Sequence, residues 1–325
     1  MSRLASIHPP LANSKSSVSR SFASPRLVSS SRSHLRLSRF QVKAAVEAES
    51  QSAKQELLKP ELYVACNRFN TRSGKGPKFE KRWAERKSRL AELDGFEFFT
   101  LLRRVDTKED EKVDFNYMSL TMWSDKSSFN AWRTGEAFKE AHGGGSLFGF
   151  VTMMVSSTMT LEGPPKPAFW NGLLPLAAPM AESDKPKVVD GWRQVHADGE
   201  NLLPAECYVT CNRFLVAPGR EAEFEERWAS RDSKLTEVPG FKQFVLCRRD
   251  AGGKKGHGGD SGDGYNYMSL TVWENKEAFD GWRTSENFAK AHGAGAGGER
   301  KKPDTSMFLG PPSLACYEGT LVIRA

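Results

Sequence analysis

Two short strings carry the residue types best suited to chemistry. Residues 131–143 read AWRTGEAFKEAHG and residues 281–293 read GWRTSENFAKAHG. Each sets a tryptophan ten residues before a histidine, Trp132 with His142 and Trp282 with His292. The six histidines are His8, His34, His142, His196, His257 and His292, and only the matched pair falls on predicted regular elements. A histidine in the last turn of a helix can simply cap carbonyls and meet the negative end of the helix dipole. A neutral imidazole is also a good iron ligand, above all the proximal ligand of a haem. The tryptophan is either ordinary core or a wall standing over a pocket.

A second repeated string adds an amide. ELYVACNRF at 61–69 returns as ECYVTCNRF at 206–214. In a strand over Tyr63–Phe69, alternation puts Tyr63, Ala65, Asn67 and Phe69 on one face. An amide on a mostly apolar face costs free energy unless something hydrogen-bonds it, either neighbouring backbone or a guest. Asn67 and Asn212 are therefore candidates. Arg68 and Arg213 point the other way, where solvent is expected to cover them.

The elements that must position these residues also come in duplicate. FNYMSLTMW at 115–123 returns as YNYMSLTVW at 265–273, and GPPKPAFWNG at 163–172 is echoed by GPPSLACYEG at 310–319. Each copy reads strand, helix, strand, strand, helix, strand. In the first copy a helix is predicted over 78–93, where Phe79, Trp83, Leu90 and Leu93 share a face. Strands follow over Phe96–Arg104 and Asn116–Trp123. A second helical region starts near Ser124, an N-cap candidate, and breaks around Thr134-Gly135. Phe138 and His142, four apart, face the same way on its second piece. The last strand is predicted near Ala168–Leu174, and near Leu314–Ile323 in the second copy. A four-stranded antiparallel sheet with helices on one face must bury its other face. Two such sheets in one chain can bury those faces against each other, which predicts an α+β pseudo-dimeric antiparallel barrel flanked by helices. Module 1 is read over 57–178, a linker over 179–204 and module 2 over 205–325.

Composition narrows the partners. Of 325 residues, 47 are Lys or Arg and 40 are Asp or Glu, a formal charge of +7. Residues 1–46 hold eight of the basic residues, thirteen serines and no acid. That is the composition of an organelle transit peptide, expected over 1–45, with small residues near Ala44 and Ala45 for processing and a chloroplast stromal destination. The remainder is then close to neutral, so no electrostatic case for nucleic acid survives. No stretch reaches the ~18 apolar residues of a membrane span. Five cysteines without CxxC spacing suit a reducing compartment and give no zinc signature.

An Asn in strand one, a Trp near the helix break and a His ten residues later resemble the IsdG-type haem-degrading monooxygenases of the antibiotic biosynthesis monooxygenase (ABM) superfamily. The resemblance covers both copies, and a fused, plastid-targeted form is similar to haem oxygenases of this type in green algae. It implies two ferredoxin-like modules in tandem. It implies haem as substrate and cofactor together, dioxygen, an external reductant such as ferredoxin, and release of iron. His142 and His292 would be axial ligands, with Phe138 and Phe288 beside the cofactor. Asn67 and Asn212 would donate near the iron-bound oxygen, and Trp132 and Trp282 would press the porphyrin out of plane. The chain is expected to act as a monomer with internal pseudo-twofold symmetry.

The copies differ after the histidine. GGGSLFGFVTMMVSS is apolar and could fill the first pocket, whereas GAGAGGERKKPDTSM is basic, and Arg300, Lys301 and Lys302 could meet haem propionates. The second copy is therefore read as the more open site. Two other functions fit the same residues: a plastid haem carrier or sensor without turnover, and a cofactor-free oxygenase acting on quinols or aromatics.

Overall fold

The computed structural model describes residues 56–106, 115–142, 157–231, 234–250, 263–291 and 305–325. His292 and the basic run Arg300–Lys302 lie outside the described residues. Module 1 comprises β1 (Leu62–Phe69), α1 (Gly76–Ala84), β2 (Phe96–Arg104), β3 (Tyr117–Trp123), α2 (Lys126–Thr134), α3 (Glu136–Ala141) and β4 (Lys166–Ala177). Module 2 repeats the order with β5 (Cys207–Phe214), α4 (Glu221–Ala229), β6 (Phe241–Arg249), β7 (Tyr267–Trp273), α5 (Lys276–Thr284), α6 (Glu286–Ala291) and β8 (Ser313–Arg324). The eight strands close into one antiparallel barrel in the order β1-β3-β2-β8-β5-β7-β6-β4.

Alternation sorts the side chains as a barrel requires. Inward positions of both modules, among them Val64, Cys66, Leu120, Val209, Val245 and Leu270, form one continuous core. Outward positions meet the helices: Tyr63, Ala65 and Phe69 pack with Phe79, Trp83 and Phe129, and Tyr208 and Phe214 with Phe224. Each module thus buries its open sheet face against the other. The α+β barrel of two ferredoxin-like halves is the architecture observed.

The halves are joined by exchange of their last strands. β4 pairs with β1 of its own module and, farther along, with β6 of the other; β8 does the same with β5 and β2. Glycines sit where the strand passes between neighbours on both sides. A Cβ on Gly319 would stand 2.4 Å from Cys207 Sγ, and one on Gly172 would stand 2.8 Å from Leu62 Cβ. Two residues later Leu174 and Leu321 hold left-handed backbone, φ 50° and 54°, a conformation that costs about 1–2 kcal/mol for an L-residue. Both lie at or beside the points where the β4–β6 and β8–β2 registers shift.

Two buried carboxylates lock the modules together. Glu80 on α1 is fully buried and accepts from Tyr117 Oη at 2.9 Å, Arg103 Nη1 at 2.7 Å and the backbone N–H of Leu203 at 2.5 Å. Glu225 on α4 repeats this with Tyr267, Arg248 and the N–H of Leu58, at 2.7, 2.6 and 2.6 Å. Each glutamate therefore holds the segment that leads into the other module's first strand. A buried carboxylate is tolerable only when its oxygens are satisfied in this way.

Three expectations need correction. The helix predicted over 78–93 stops at Ala84, and Leu90–Glu92 form a separate 3₁₀ turn. Leu90 still reaches the core, so the apolar spacing was genuine although the chain leaves the helix between. The N-cap of α2 is Asp125, whose Oδ1 accepts from the N–H of Ser128 at 2.9 Å; it is not Ser124. Arg68 and Arg213 do point away from the helices, but they are not solvated: the barrel encloses them to 6% and 8% exposure.

Candidate functional site

On the outer face of each half-barrel, aromatic rings run from the sheet to the end of the second helical region. In module 1, Trp132 stacks on Trp123 of β3 with centroids 5.3 Å apart and meets Phe138 edge-on at 5.1 Å. Phe138 then stacks on His142 at 3.9 Å. The break between α2 and α3 makes this possible. It comes at Gly135, whose extended backbone turns α3 so that its one apolar stripe, Phe138 and the following His142, continues the ladder begun by Trp132.

The His142 ring is oriented by two bonds. Its Nδ1 lies 2.7 Å from the Phe138 carbonyl, which makes Nδ1 the protonated nitrogen. Its Nε2 lies 2.9 Å from Nη2 of Arg86, which can only donate. Burial and the nearby Arg86 charge push the imidazole down to about 4, against the smaller opposing pull of the Phe138 carbonyl. His142 is thus neutral at physiological pH, with a lone pair on Nε2.

Arg86 was not picked out from sequence, although it lies three residues after Trp83 just as Arg231 lies three after Trp228. Its guanidinium stacks 4.6 Å over Trp83, and its Nε donates to the Ala141 carbonyl at 2.8 Å. Burial, with Arg82 adding to it, lowers its pKa to about 10. Arg86 therefore caps the end of α3 and holds the histidine.

Asn67 shares the outward face of β1 with Tyr63, Ala65 and Phe69 and is half-buried. No side-chain hydrogen bond joins it to Trp132 or His142. The structure brings Trp132, Phe138 and His142 into one ladder and leaves Asn67 on the sheet beneath the helices.

Module 2 builds the same frame with different bonding. Trp282 is buried, 6.4 Å from Trp273, and meets Phe288 edge-on at 5.8 Å. Ser285 stands where module 1 has Gly135, and its hydroxyl accepts from the N–H of Phe288 at 3.1 Å. Arg231 stacks 4.0 Å over Trp228 and is pushed down to about 10, chiefly by burial. Among the described residues it has no hydrogen-bond partner. Asn212 on β5 carries a buried Oδ1 that is likewise unpaired. Leaving such an atom unsatisfied costs about 1–3 kcal/mol.

Fold and site together define a tandem monooxygenase-type barrel. The antibiotic biosynthesis monooxygenase family matches residues 62–144 and 208–294, one match per module, and the chain belongs to this family. A heme oxygenase (mycobilin-producing) of Mycobacterium tuberculosis (strain CDC 1551 / Oshkosh) is 36% identical over 81 residues, 25% of this chain and 70% of the relative. A candidate monooxygenase structure from Fusobacterium nucleatum shares the fold, with a TM-score of 0.50 at 9% identity, covering 82% of this chain and 95% of its own. One from Lactobacillus acidophilus gives 0.49 at 8% identity, covering 81% and 96%. Family membership and the mycobacterial relative support oxidoreductase chemistry of the monooxygenase class for this chain.

Among the described residues no cluster of three or more His, Cys, Asp or Glu could hold a metal ion by itself, and all five cysteines are buried and unbridged. An iron here would have to bring most of its own ligands, as it does in a porphyrin. The residues fit such a guest in part in each half: module 1 offers an aromatic wall and a neutral imidazole of defined tautomer, and module 2 an aromatic wall and a buried amide oxygen without a hydrogen-bond partner among the described residues.

Proposed function

We propose that the chain is a haem-degrading monooxygenase whose working pocket lies in module 2. The observation that carries this reading is a buried polar atom left unpaired on β5 of module 2. In module 1 the arginine is bonded to Ala141 and His142, whereas in module 2 the buried Oδ1 of Asn212 has no hydrogen-bond partner among the described residues. A buried polar atom without a partner is one that a polar guest would satisfy.

When bound, haem supplies the redox centre at which dioxygen is activated and is also the compound oxidised. The chain's own residues would do the rest. His292 or, in module 1, His142 would offer an imidazole nitrogen to the iron. Asn212 or Asn67 would supply a hydrogen bond to the bound group. Trp282 or Trp132 would pack against it, and Phe288 or Phe138 would shield it from water. Arg231 would meet a propionate carboxylate as a charge-assisted partner. In module 1 the Nε2 of His142 is already occupied, so ligation there must first displace Arg86. The leader and the small-residue site before Val46 support a chloroplast destination. A barrel that closes within one chain supports a monomer, and an external electron donor would be required.

The test is a haem titration of wild type, His142→Ala and His292→Ala, followed by reductant and oxygen. The expected result is a Soret shift lost in His292→Ala and largely kept in His142→Ala. Bleaching and iron release should follow in the wild type. Absence of any Soret shift would defeat the proposal and leave quinol oxidation as the better reading. Tight binding without bleaching under several reductants would make the protein a carrier.

A further inference from the structure

At one mouth of the barrel, away from the helix-covered clefts, the inward ends of the strands enclose a cavity of about 20 Å³. It is lined by Arg68, Arg213, Asp263, Phe115, Trp170 and Tyr317, with Cys66, Cys211 and methionines beneath. That is room for little more than one water-sized guest.

Arg68 and Arg213 are the same position in the two repeats, one on β1 and one on β5, and each lies over the aromatic two residues before its module's third strand. Arg68 stands 5.6 Å from the Phe115 ring and Arg213 stands 4.6 Å from Tyr265. Their acceptors are not equivalent. Asp263 takes a hydrogen bond from Arg68 Nη1 at 2.5 Å and another from Arg249, which itself stacks 3.8 Å over Trp170. It comes only within 3.5 Å of Arg213 Nη1. The repeat position of Asp263 in module 1 is Val113, which has no acceptor.

Arg213 is left with one good bond, from Nη2 to Ser313 Oγ at 3.0 Å, while its Nε and Nη1 are buried and unpaired. The side chain is 8% exposed and faces the cavity. Three guanidinium groups thus surround one carboxylate, and Arg213, which lines the cavity, keeps two of its three nitrogens without a hydrogen-bond acceptor. A buried, unsatisfied cation is among the least favourable arrangements in a protein unless an anion completes it.

We infer that this mouth binds a small monovalent anion, a halide or a carboxylate group, which takes against Arg213 the place that Asp263 takes against Arg68. The ligand donates no proton and accepts from an unpaired N–H of Arg213. The cavity limits it to about the size of formate or nitrate. Occupancy raises stability in proportion to the logarithm of anion concentration above the dissociation constant.

The test uses the full chain exchanged into gluconate, with chloride added back and followed by chloride NMR linewidth. Expected is saturable broadening at one site, displaced by nitrate or formate and weakened at least tenfold in Arg213→Met. Asp263→Asn, which removes the competing carboxylate, should tighten binding. Broadening that does not saturate, or that persists unchanged in a folded Arg213→Met, would overturn the site. Should that variant not fold, crystals of the wild type in bromide decide the matter: an anomalous peak beside the Arg213 guanidinium upholds the inference, and a water there overturns it. Melting temperatures in formate and butyrate then distinguish the source. A rise with formate alone marks a free small ion, and a rise with both marks the head of a longer organic acid entering from the mouth.

Discussion

The two modules share a frame but satisfy their polar groups in different places. In module 2, Trp273 Nε1 donates to Thr210 Oγ1 at 3.3 Å. Module 1 has Ala65 at that position, and Trp123 Nε1 is buried without a partner. The order reverses one turn of the ladder away. Module 1 bonds its arginine to the end of α3 and to His142, while in module 2 the buried Oδ1 of Asn212 has no hydrogen-bond partner among the described residues. Each half therefore tolerates an orphan, but only in module 2 does the orphan lie among the candidate ligand-binding residues. The duplication thus keeps its aromatic frame while moving the position of its unpaired groups.

The feature common to both modules should be the costliest to remove. Glu80→Ala and Glu225→Ala each leave an arginine and a tyrosine buried without their acceptor, and each should lose about 3–5 kcal/mol. Urea unfolding measures both. If the modules are locked as one unit, the two losses are similar and each variant unfolds in a single transition. Two separate transitions would show that the modules fold independently, and the comparison would then be between two domains.

The His142 contact predicts a pH dependence specific to module 1. Its imidazole is held near 4 in the folded chain, against about 6.5 when unfolded. Between those values the unfolded state binds the proton that the folded state refuses, so stability rises with pH. The contribution is complete above about pH 6.5. It is lost as pH falls toward 4, at up to about 1.4 kcal/mol per pH unit from this one group. Protonation would also set two cations, the imidazolium and Arg86, against each other. Urea midpoints of wild type and His142→Gln should diverge as pH is lowered from 7 to 4.5, with the flatter profile in the variant. Parallel profiles would mean that Arg86 does not hold the ring in solution.

Much of this frame could be read from sequence, for a local reason. Alternation through Tyr63, Ala65, Asn67 and Phe69 and the four-residue step from Phe138 to His142 are set by backbone period alone. What could not be read depends on non-local pairing. β4 runs on to Ala177 because its far half pairs with β6 of the other module, about 70 residues away. Alternation told which way Arg68 and Arg213 point, but not that a second sheet closes over them. Arg86 fell inside the helix predicted over 78–93, and the end of α1 at Ala84 places it beyond that helix instead. The unpaired Asn212 oxygen was invisible in principle, since an orphan is defined by what all its neighbours fail to offer.

The tryptophan contact tests the comparison at smaller scale. Thr210→Ala gives module 2 the orphan of module 1 and should cost about 1–3 kcal/mol, the penalty of an unsatisfied buried donor. The reciprocal Ala65→Thr supplies Trp123 with an acceptor and should gain up to about 1 kcal/mol, provided the added atoms fit beneath α2. Differential scanning calorimetry of the pair and the double exchange checks both signs. A loss in both variants would mean that packing around Ala65 matters more than the indole N–H.

The smallest exchange concerns the helix that carries the histidine. Ser285 accepts from the N–H of Phe288 and also donates to the Trp282 carbonyl at 2.7 Å, so it closes the break from both sides. Gly135 makes neither bond, yet its φ of −85° is open to any residue. Ser285→Ala should therefore destabilise by about 1 kcal/mol, and Gly135→Ser should stabilise by a few tenths, the usual difference between these residues at an N-cap. The tightest neighbour of a Cβ at position 135 is the Ala131 carbonyl oxygen at 3.0 Å, which sets how much of that gain survives. Amide hydrogen exchange at Phe288 and Phe138 reads the effect directly: protection should fall in the first variant and rise in the second. An unchanged Phe138 would show that Arg86, gripping the other end of α3, already fixes that helix, and that module 1 has replaced an N-terminal cap with a C-terminal one.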